Sequence, residues 1–262
     1  MADDYEQQLY VLAHFQQAMD ERWIEIYYQP VCQVGTGQLS GYECLARWHD
    51  PDRGILSPAA FVPALEQHHL IGLLDHYILD TVCREAAERR QKGLGDIPIS
   101  FNVSRDDFND GDVFQDVCDI TAKYGIDPSL IDIEITESAF SDDPDYIGAQ
   151  VKRFRDAGFS VWMDDFGSEY SSLGTLQKMD VDLIKLDIRF LRACEEERQN
   201  GGHRAADLLK ATIQLVKALG LHTLCEGVET EAQMALLREY GCEKAQGFYL
   251  GMPQPLNKIK TT

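Results

Sequence analysis

The chain has 262 residues, of which 44% are hydrophobic and 26% are charged, and this length and composition are ordinary for a single α/β barrel. Asp and Glu number 44 against 24 for Lys and Arg, which gives a net charge of −20. This charge argues against an extended nucleic-acid partner, but it allows a small anionic ligand whose charge is neutralised by bound cations. The cysteines form no C-x-x-C pair and no apolar run has the length of a membrane span, so we expect neither a zinc framework nor direct membrane insertion.

The first predicted element is an amphipathic helix in residues 1–22, with Leu9, Leu12 and Phe15 on one side. Two interpretations are open: a linker from an upstream domain, or a helix that packs on the domain that follows. We place that domain in residues 23–256 and a C-terminal tail in residues 257–262.

Eight short apolar segments then predict strands. They are WIEIYYQPV, GYECLARW, IPISFNVS, LIDIEITE, SVWMDD, VDLIKLD, HTLCEG and KAQGFYL. Helical patterns separate most of them, as in the recurrence of Val113, Val117 and Ile120, and Gly158 and Gly241 stand where the C-cap of a helix belongs.

The order of these elements predicts the fold class. Strands that alternate with helices indicate a mostly parallel sheet, and eight strands in this length indicate a (β/α)8 barrel. Only CQVGTGQLS separates the first two strands, which is too short for a helix and favours an antiparallel hairpin. We therefore expect an α/β fold: a modified (β/α)8 TIM-like barrel with the first strand antiparallel to the others.

Polar residues stand at or near the ends of the other seven strands. They are Glu43, Asn102, Glu134, Asp164 with Asp165, Lys185, Glu226 and Gln246. In a barrel these ends rise to one face, where such enzymes keep their active sites. Crowded carboxylates resist ionisation unless cations bind, and an all-oxygen donor set favours Mg²⁺ or Mn²⁺. Two ions that share a bridging Asp would suit in-line displacement at phosphorus, so the residues alone predict a two-metal phosphate-ester hydrolase.

Several of these residues also have plainer interpretations. Taken singly, Glu43 is compatible with a solvated strand residue, Asn102 with the cap of a turn, and Lys185 with a surface charge. His68 and His69 lie in the middle of a predicted helical stretch away from the strand ends, so we interpret them as surface or packing residues.

The same segments resemble a known family. YQPV, GYECLARW, FNVS, EITES, DDFGSEYSSL, IKLD, EGVET and QGFYLGMP follow, in order, the signature of EAL domains, and the resemblance runs from about Trp23 to Pro255. EAL domains are bacterial phosphodiesterases of second-messenger signalling that linearise cyclic di-GMP to pGpG, and some members have lost this activity.

The resemblance implies the metal and catalytic residues. Glu43, Asn102, Glu134 and Asp164 would ligate one ion, and Asp164 would bridge to a second ion that Asp165 and Glu226 also hold. Lys185 would orient the attacking water and stabilise its hydroxide form, and Glu226 is a candidate general base. The catalytic group would thus comprise Glu226, Lys185 and Asp165. We expect Mg²⁺ or Mn²⁺ as two ions, and inhibition by Ca²⁺.

The resemblance also implies substrate-binding and supporting residues. Gln29, Leu45, Arg47 and Gln246 would contact cyclic di-GMP, with Arg47 on a phosphate. Gln246 would also bond to the water around the ions. Glu137 would anchor the loop after Asp165, Glu229 would support the site from behind, and Asp187 would orient Lys185. Plainer alternatives exist for four of these residues. Asp187 is also compatible with a turn former and Arg47 with an ordinary ion-pair partner. An acid at the start of a helix is favourable in any case, which would account for Glu137 and Glu229.

The chain departs from the family pattern in two places. Cys44 replaces the alanine for which the family is named, and being small it should leave Glu43 in place. Ser168 and Glu169 replace Thr-Gly in the loop after Asp165. If that position needs positive φ, Glu169 costs about 1–2 kcal/mol, and it adds negative charge beside an anionic substrate.

Three functions remain open: an active phosphodiesterase, a catalytically silent cyclic di-GMP receptor, and a different metal-dependent barrel enzyme. We further expect a homodimer formed near the segment after DDFG, and an upstream sensory or GGDEF-type domain in a parent protein. Reduced cysteines indicate a cytoplasmic location, either of the chain itself or of the cytoplasmic domain of a larger, membrane-anchored protein.

Overall fold

Strands and helices alternate along the chain in a computed structural model that describes residues 2–108, 111–167 and 180–259. Its strands are β1 (Ile24–Gln33), β2 (Leu39–Asp50), β3 (Gly54–Leu56), β4 (Ile99–Val103), β5 (Ile131–Thr136), β6 (Ser160–Phe166), β7 (Leu183–Leu186), β8 (His222–Cys225), β9 (Lys244–Gln246) and β10 (Gln254–Pro255). Its helices are α1 (Ala2–Asp20), α2 (Pro58–Gln67), α3 (Ile71–Gln91), α4 (Val113–Tyr124), α5 (Glu137–Asp142), α6 (Pro144–Asp156), α7 (Arg189–Gln199), α8 (Arg204–Ala218) and α9 (Glu231–Tyr240). Short 3-10 turns cover Asp106–Phe108, Pro128–Leu130 and Leu256–Lys258.

Eight of the strands close into a barrel. The seven strands β2, β4, β5, β6, β7, β8 and β9 are parallel neighbours in that order. β1 closes the ring between β9 and β2 and is antiparallel to both. The predicted modified barrel with a reversed first strand is confirmed. The short strands β3 and β10, which pair antiparallel with β2 and β1, were not predicted.

Successive side chains of β2 face alternately the barrel interior and the surrounding helices. Trp48 faces outward and its ring lies 5.8 Å from that of Phe61 in α2. Glu43, Leu45 and Arg47 alternate with the outward residues and therefore lie on the other side of the strand. The hairpin with β1 places Gln29 directly opposite Glu43. Two of the predicted site residues are thus neighbours because of the reversed strand.

The buried side of α1 differs from the predicted one. Val11, Phe15 and Ala18 are buried, whereas Leu9 is 50% exposed and Leu12 is half-buried. The prediction was wrong for the two leucines because the stripe that faces the barrel consists of Val11, Phe15 and Ala18, at positions i, i+4 and i+7.

The same helix packs on the barrel. The Tyr10 hydroxyl donates to the Asp50 carboxylate at 2.8 and 2.9 Å, and the Phe15 ring lies 6.4 Å from Trp48. A link to an upstream domain, and the boundaries at residues 22 and 256, stay predictions.

The helical stretch around His68 and His69 is broken, so their predicted position inside a helix was wrong. α2 ends at Gln67, His69 has a φ of 54°, and α3 begins at Ile71. The left-handed backbone at His69 ends one helix and redirects the chain into the next. Among the helices of the described ranges, none combines the length and apolar character needed to cross a membrane.

Candidate active site

The carboxyl ends of the parallel strands bring the predicted polar residues to one end of the barrel. The parallel register places Asn102 of β4 beside Glu134 of β5. The closing strand places Val31 opposite Gln246 of β9. Side chains that are far apart in sequence therefore share the barrel mouth, as expected from the strand order.

Lys185 lies at the centre of this group. Its ammonium nitrogen is 2.6 Å from Glu134 Oε2, 2.8 Å from Glu226 Oε1, 3.0 Å from Asp164 Oδ1 and 3.7 Å from Glu43 Oε1. The lysine side chain is only 1% exposed, and a buried ammonium is tolerated because carboxylates surround it. Burial opposes its charge, but the four carboxylates outweigh burial and hold the pKa of Lys185 well above its usual value.

One ammonium does not balance the acids around it. Burial raises the pKa of Glu226 to about 8, against the lowering influence of Lys185 and with further raising by Asp164 and Glu43. Burial likewise raises the pKa of Glu134 well above its ordinary value, although Lys185 opposes this. The site therefore favours additional positive charge.

The donor atoms fit hard divalent cations. Oxygens of Asp164, Asp165 and Glu226 lie within 4.8 Å of one another. Glu134 Oε1 and Gln246 Oε1 are buried without a hydrogen-bond partner among the described residues. Because all of these donors are oxygen atoms, they match the ligands that Mg²⁺ and Mn²⁺ prefer.

A bulge explains how two adjacent aspartates serve one site. Neighbouring residues of a regular strand face opposite sides, but the register between β6 and β7 shifts between Met163 and Phe166. Asp165 has a φ of 58°, and its N–H donates to Asp164 Oδ1 at 2.9 Å. Burial, followed by the charges of Asp164 and Asp187, raises the pKa of Asp165 to about 6. The bulge thus turns both carboxylates toward the barrel mouth; their place there was predicted, but the bulge was not.

Among the described residues, no hydrogen bond or ion pair joins Asp187 to Lys185, and an orienting role of Asp187 stays a prediction. Its carboxylate instead accepts from the Arg189 backbone N–H at 2.7 Å and from Arg189 Nε at 2.8 Å, and it interacts with Asp165. The reason is positional, since Asp187 follows the end of β7 and lies at the start of α7, whereas Lys185 points into the barrel.

A cavity of about 280 Å³ opens beside this group. Of the residues predicted to contact substrate or support the site, its lining contains Gln29, Leu45, Glu229 and Gln246. Gln246 Nε2 donates to Gln29 Oε1 at 3.1 Å and also to Glu43, so Gln246 connects the cavity wall with the acidic group.

Sequence reasoning missed four lining residues, of which Gly227 and Gly247 carry no side chain. Ile188 and Phe248 also line the cavity, and the Phe248 side chain is 58% exposed. Phe248 lies in the segment QGFYL, which belongs to the motifs that carry the resemblance, but only proximity in space assigns Phe248 to this cavity.

Arg47 does not line this cavity. Its Nη1 donates to the Ala46 carbonyl at 2.8 Å, and its guanidinium lies 5.7 Å from the centre of the Tyr27 ring. A contact of Arg47 with a substrate phosphate stays a prediction.

The loop after β6 is only partly described. Glu137 Oε2 accepts the Gly167 N–H at 3.1 Å, a contact that joins α5 to the first residue of the loop. Ser168 and Glu169 lie outside the described residues, as does most of the segment expected to support a dimer. Cys44 is buried, and its thiol donates to the Ser100 carbonyl at 3.0 Å on the outer side of β2.

Comparisons with known proteins agree on one family. The sequence model described as the EAL domain matches residues 13–253. The oxygen sensor protein DosP of Escherichia coli is 32% identical over 259 residues, covering 99% of this chain and 32% of DosP. The bifunctional diguanylate cyclase/cyclic di-GMP phosphodiesterase MucR of Pseudomonas aeruginosa is 31% identical over 254 residues, covering 97% of this chain and 36% of MucR.

A solved structure supports the same assignment. The MucR phosphodiesterase in complex with cyclic di-GMP superposes with a TM-score of 0.88 at 30% identity, covering 95% of this chain and 99% of that chain. The chain spans about a third of the length of the two curated relatives, so it corresponds to one region of each. The closed barrel, its acidic mouth and these matches show that the chain belongs to the EAL domain family.

Proposed function

We propose that this chain hydrolyses cyclic di-GMP to linear pGpG with two bound divalent cations, Mg²⁺ or Mn²⁺. The observation that carries the proposal is the convergence of four carboxylates on the buried ammonium of Lys185 at the barrel mouth. The similarity to MucR, whose name includes cyclic di-GMP phosphodiesterase, supports the choice of substrate.

The proposed cation ligands come from five strand ends. Glu43, Asn102, Glu134 and Asp164 would hold one cation, and Asp164, Asp165 and Glu226 would hold the other. When bound, the cations would offset the carboxylate charge and activate water for attack at phosphorus. The cluster of acidic oxygens within 4.8 Å supports the second of these two sets.

The chain's own groups supply positioning and proton transfer. Glu226 touches both the cavity and Lys185, so its carboxylate is placed to accept the proton of the attacking water. Leu45, Ile188 and Phe248 offer apolar surface for a guanine base, while Gln29 offers an amide. Arg47 would bind a phosphate from the rim, where a planar guanidinium suits two phosphate oxygens.

We extend the proposal to the setting of the domain. DosP and MucR each contain about three times the length that they share with this chain, which supports an upstream sensory or GGDEF-type domain in a parent protein. All seven cysteines are free, in keeping with a cytoplasmic location. The homodimer stays a prediction.

A turnover assay tests the proposed reaction. Purified chain is incubated with cyclic di-GMP and Mg²⁺, Mn²⁺ or Ca²⁺, and products are identified by liquid chromatography and mass spectrometry. We expect pGpG with Mg²⁺ and Mn²⁺ and none with Ca²⁺. Binding of cyclic di-GMP without turnover under any of the metals would identify a silent receptor, and a different product would identify another barrel enzyme.

A substitution of the proposed base provides the control. Glu226→Ala should abolish turnover yet retain some binding of cyclic di-GMP, because Gln29, Leu45 and Phe248 remain in the cavity wall. A variant that turns over at nearly the wild-type rate would show that Glu226 is not the base.

A further inference from the structure

The ammonium of Lys185 is surrounded by carboxylate oxygens. A lysine ammonium has three N–H donors. Three carboxylate oxygens, from Glu134, Glu226 and Asp164, lie at 2.6, 2.8 and 3.0 Å, and Glu43 follows at 3.7 Å. The Glu134 contact is a hydrogen bond and the other three are ion pairs, so the nearest partners of the ammonium within the described residues are acids.

The acids that bind Lys185 are the same acids that fit cations. Asp164 and Glu226 belong to the group whose oxygens lie within 4.8 Å of one another and of Asp165. Glu134 offers one oxygen to Lys185, while its other oxygen is buried without a hydrogen-bond partner among the described residues. The ammonium and a divalent cation are thus drawn to one set of oxygens, and their like charges repel each other.

We infer that Lys185 is the internal counter-ion of this acidic site and exchanges with the divalent cations, releasing Asp164 and Glu226 as the cations bind. This inference rests on the proposed function for the identity of the cations. A lysine suits this exchange because its charge sits on a flexible four-carbon stem. The strand itself stays in place, since Leu183, Ile184 and Leu186 on either side of Lys185 are all buried.

The exchange has a consequence for the reaction. While three carboxylate oxygens lie within 3.0 Å of the Lys185 ammonium, they compete with the attacking water for its N–H groups. Release of Asp164 and Glu226 removes two of these competitors at the point where Glu226 meets the cavity. Cation loading and completion of the catalytic group are therefore one coupled event.

Calorimetric titration of Mn²⁺ into the chelator-treated full chain tests the exchange. Lys185→Met removes the competing charge, so the first Mn²⁺ should bind at least tenfold more tightly than in the wild type. Lys244→Met is the matched control, because Lys244 begins β9 and its ammonium lies 4.6 Å from the Trp162 ring, away from the acidic group. That control should bind Mn²⁺ within twofold of the wild type. Equal or weaker binding by Lys185→Met would overturn the inference.

A second measurement on the wild type does not depend on the folding of a variant. The buried ammonium of Lys185 is observed by nitrogen NMR in protein labelled on lysine, while Mg²⁺ is added. We expect one ammonium signal to shift in step with Mg²⁺ binding and the Lys244 signal to stay constant. An ammonium spectrum that does not change while calorimetry records Mg²⁺ binding would overturn the exchange.

These readouts are separate from turnover. If the wild type produces pGpG but Lys185→Met gains no affinity, the exchange is wrong and the proposed function stands. If affinity rises as expected but the wild type produces no pGpG, the proposed function fails and the exchange stands.

Discussion

The backbone of Asp165 offers the most direct test of how the bulge is built. Its φ of 58° lies in the left-handed region, where a Cβ atom costs about 1–2 kcal/mol and glycine has no such cost. Asp165→Ala and Asp165→Gly both remove the carboxylate and its contacts with Asp164 and Asp187. The two variants differ only in the Cβ atom, so their difference reports the backbone strain together with the freedom of glycine in the unfolded chain.

The expected difference follows from two opposing contributions. The Cβ of alanine destabilises the folded state by about 1–2 kcal/mol, while the freedom of glycine in the unfolded chain offsets roughly 0.4–1 kcal/mol of this. Asp165→Gly should therefore be more stable than Asp165→Ala by about 1 kcal/mol. In a chain of 262 residues this corresponds to roughly 2–4 °C in the unfolding midpoint.

Urea and thermal denaturation with a chelator present measure this difference without a contribution from cations. The same pair of substitutions at Asp132, a regular position of β5, should give the opposite order, because glycine weakens an ordinary strand. An Asp165→Ala variant as stable as Asp165→Gly would refute the argument that the bulge requires positive φ.

Three further predictions concern packing, pH and cations. In urea denaturation, Gly247→Ala should destabilise the fold by more than about 2 kcal/mol, because a Cβ there would lie 2.2 Å from the Val228 backbone. The control Gly35→Ala places its Cβ where no atom lies within 4 Å, and it should cost less than about 0.5 kcal/mol. Burial raises the pKa of Asp107 and of its hydrogen-bonded partner Asp75. The protonated carboxyl groups therefore stabilise the fold at low pH, and this contribution is lost as the pH rises from about 4 through the raised pKa values. Asp107→Asn should therefore gain stability relative to the wild type between pH 4 and pH 8, and parallel thermal midpoints across that range would contradict this. Added Mg²⁺ should raise the thermal midpoint of chelator-treated protein. At a free Mg²⁺ concentration of a hundred times the dissociation constant, the free energy of unfolding should increase by about 2.7 kcal/mol. An unchanged midpoint would count against cation binding.

Much of the candidate site was readable from the sequence because parallel strands end at one face. Once Glu43, Glu134 and Glu226 were assigned to strand ends, the geometry of a barrel required them to be near one another. No sequence pattern, however, states which acid a lysine will bind. The contacts of Lys185 with Glu134 and Asp164 depend on the exact register of β5, β6 and β7.

The predictions were wrong where one local sequence pattern is compatible with more than one structure. α1 carries apolar residues on two sides, and only the shape of the barrel selected Val11 and Ala18 over Leu9. The left-handed residue His69 has no strong sequence signature, so one predicted helical stretch became α2 and α3. The resemblance assigned Asp187 to Lys185, but β7 ends between them and the Asp187 carboxylate accepts from Arg189.

The sequence by itself determined the class of fold, the reversal of the first strand and the oxygen-rich chemistry of the barrel mouth. These follow from strand periodicity, from a connection too short for a helix, and from the residue types at the strand ends. Tertiary structure alone decided how the adjacent Asp164 and Asp165 both reach one site, and which acids the Lys185 ammonium contacts. Both depend on a bulge and a register set by packing across the whole barrel, which no local segment contains.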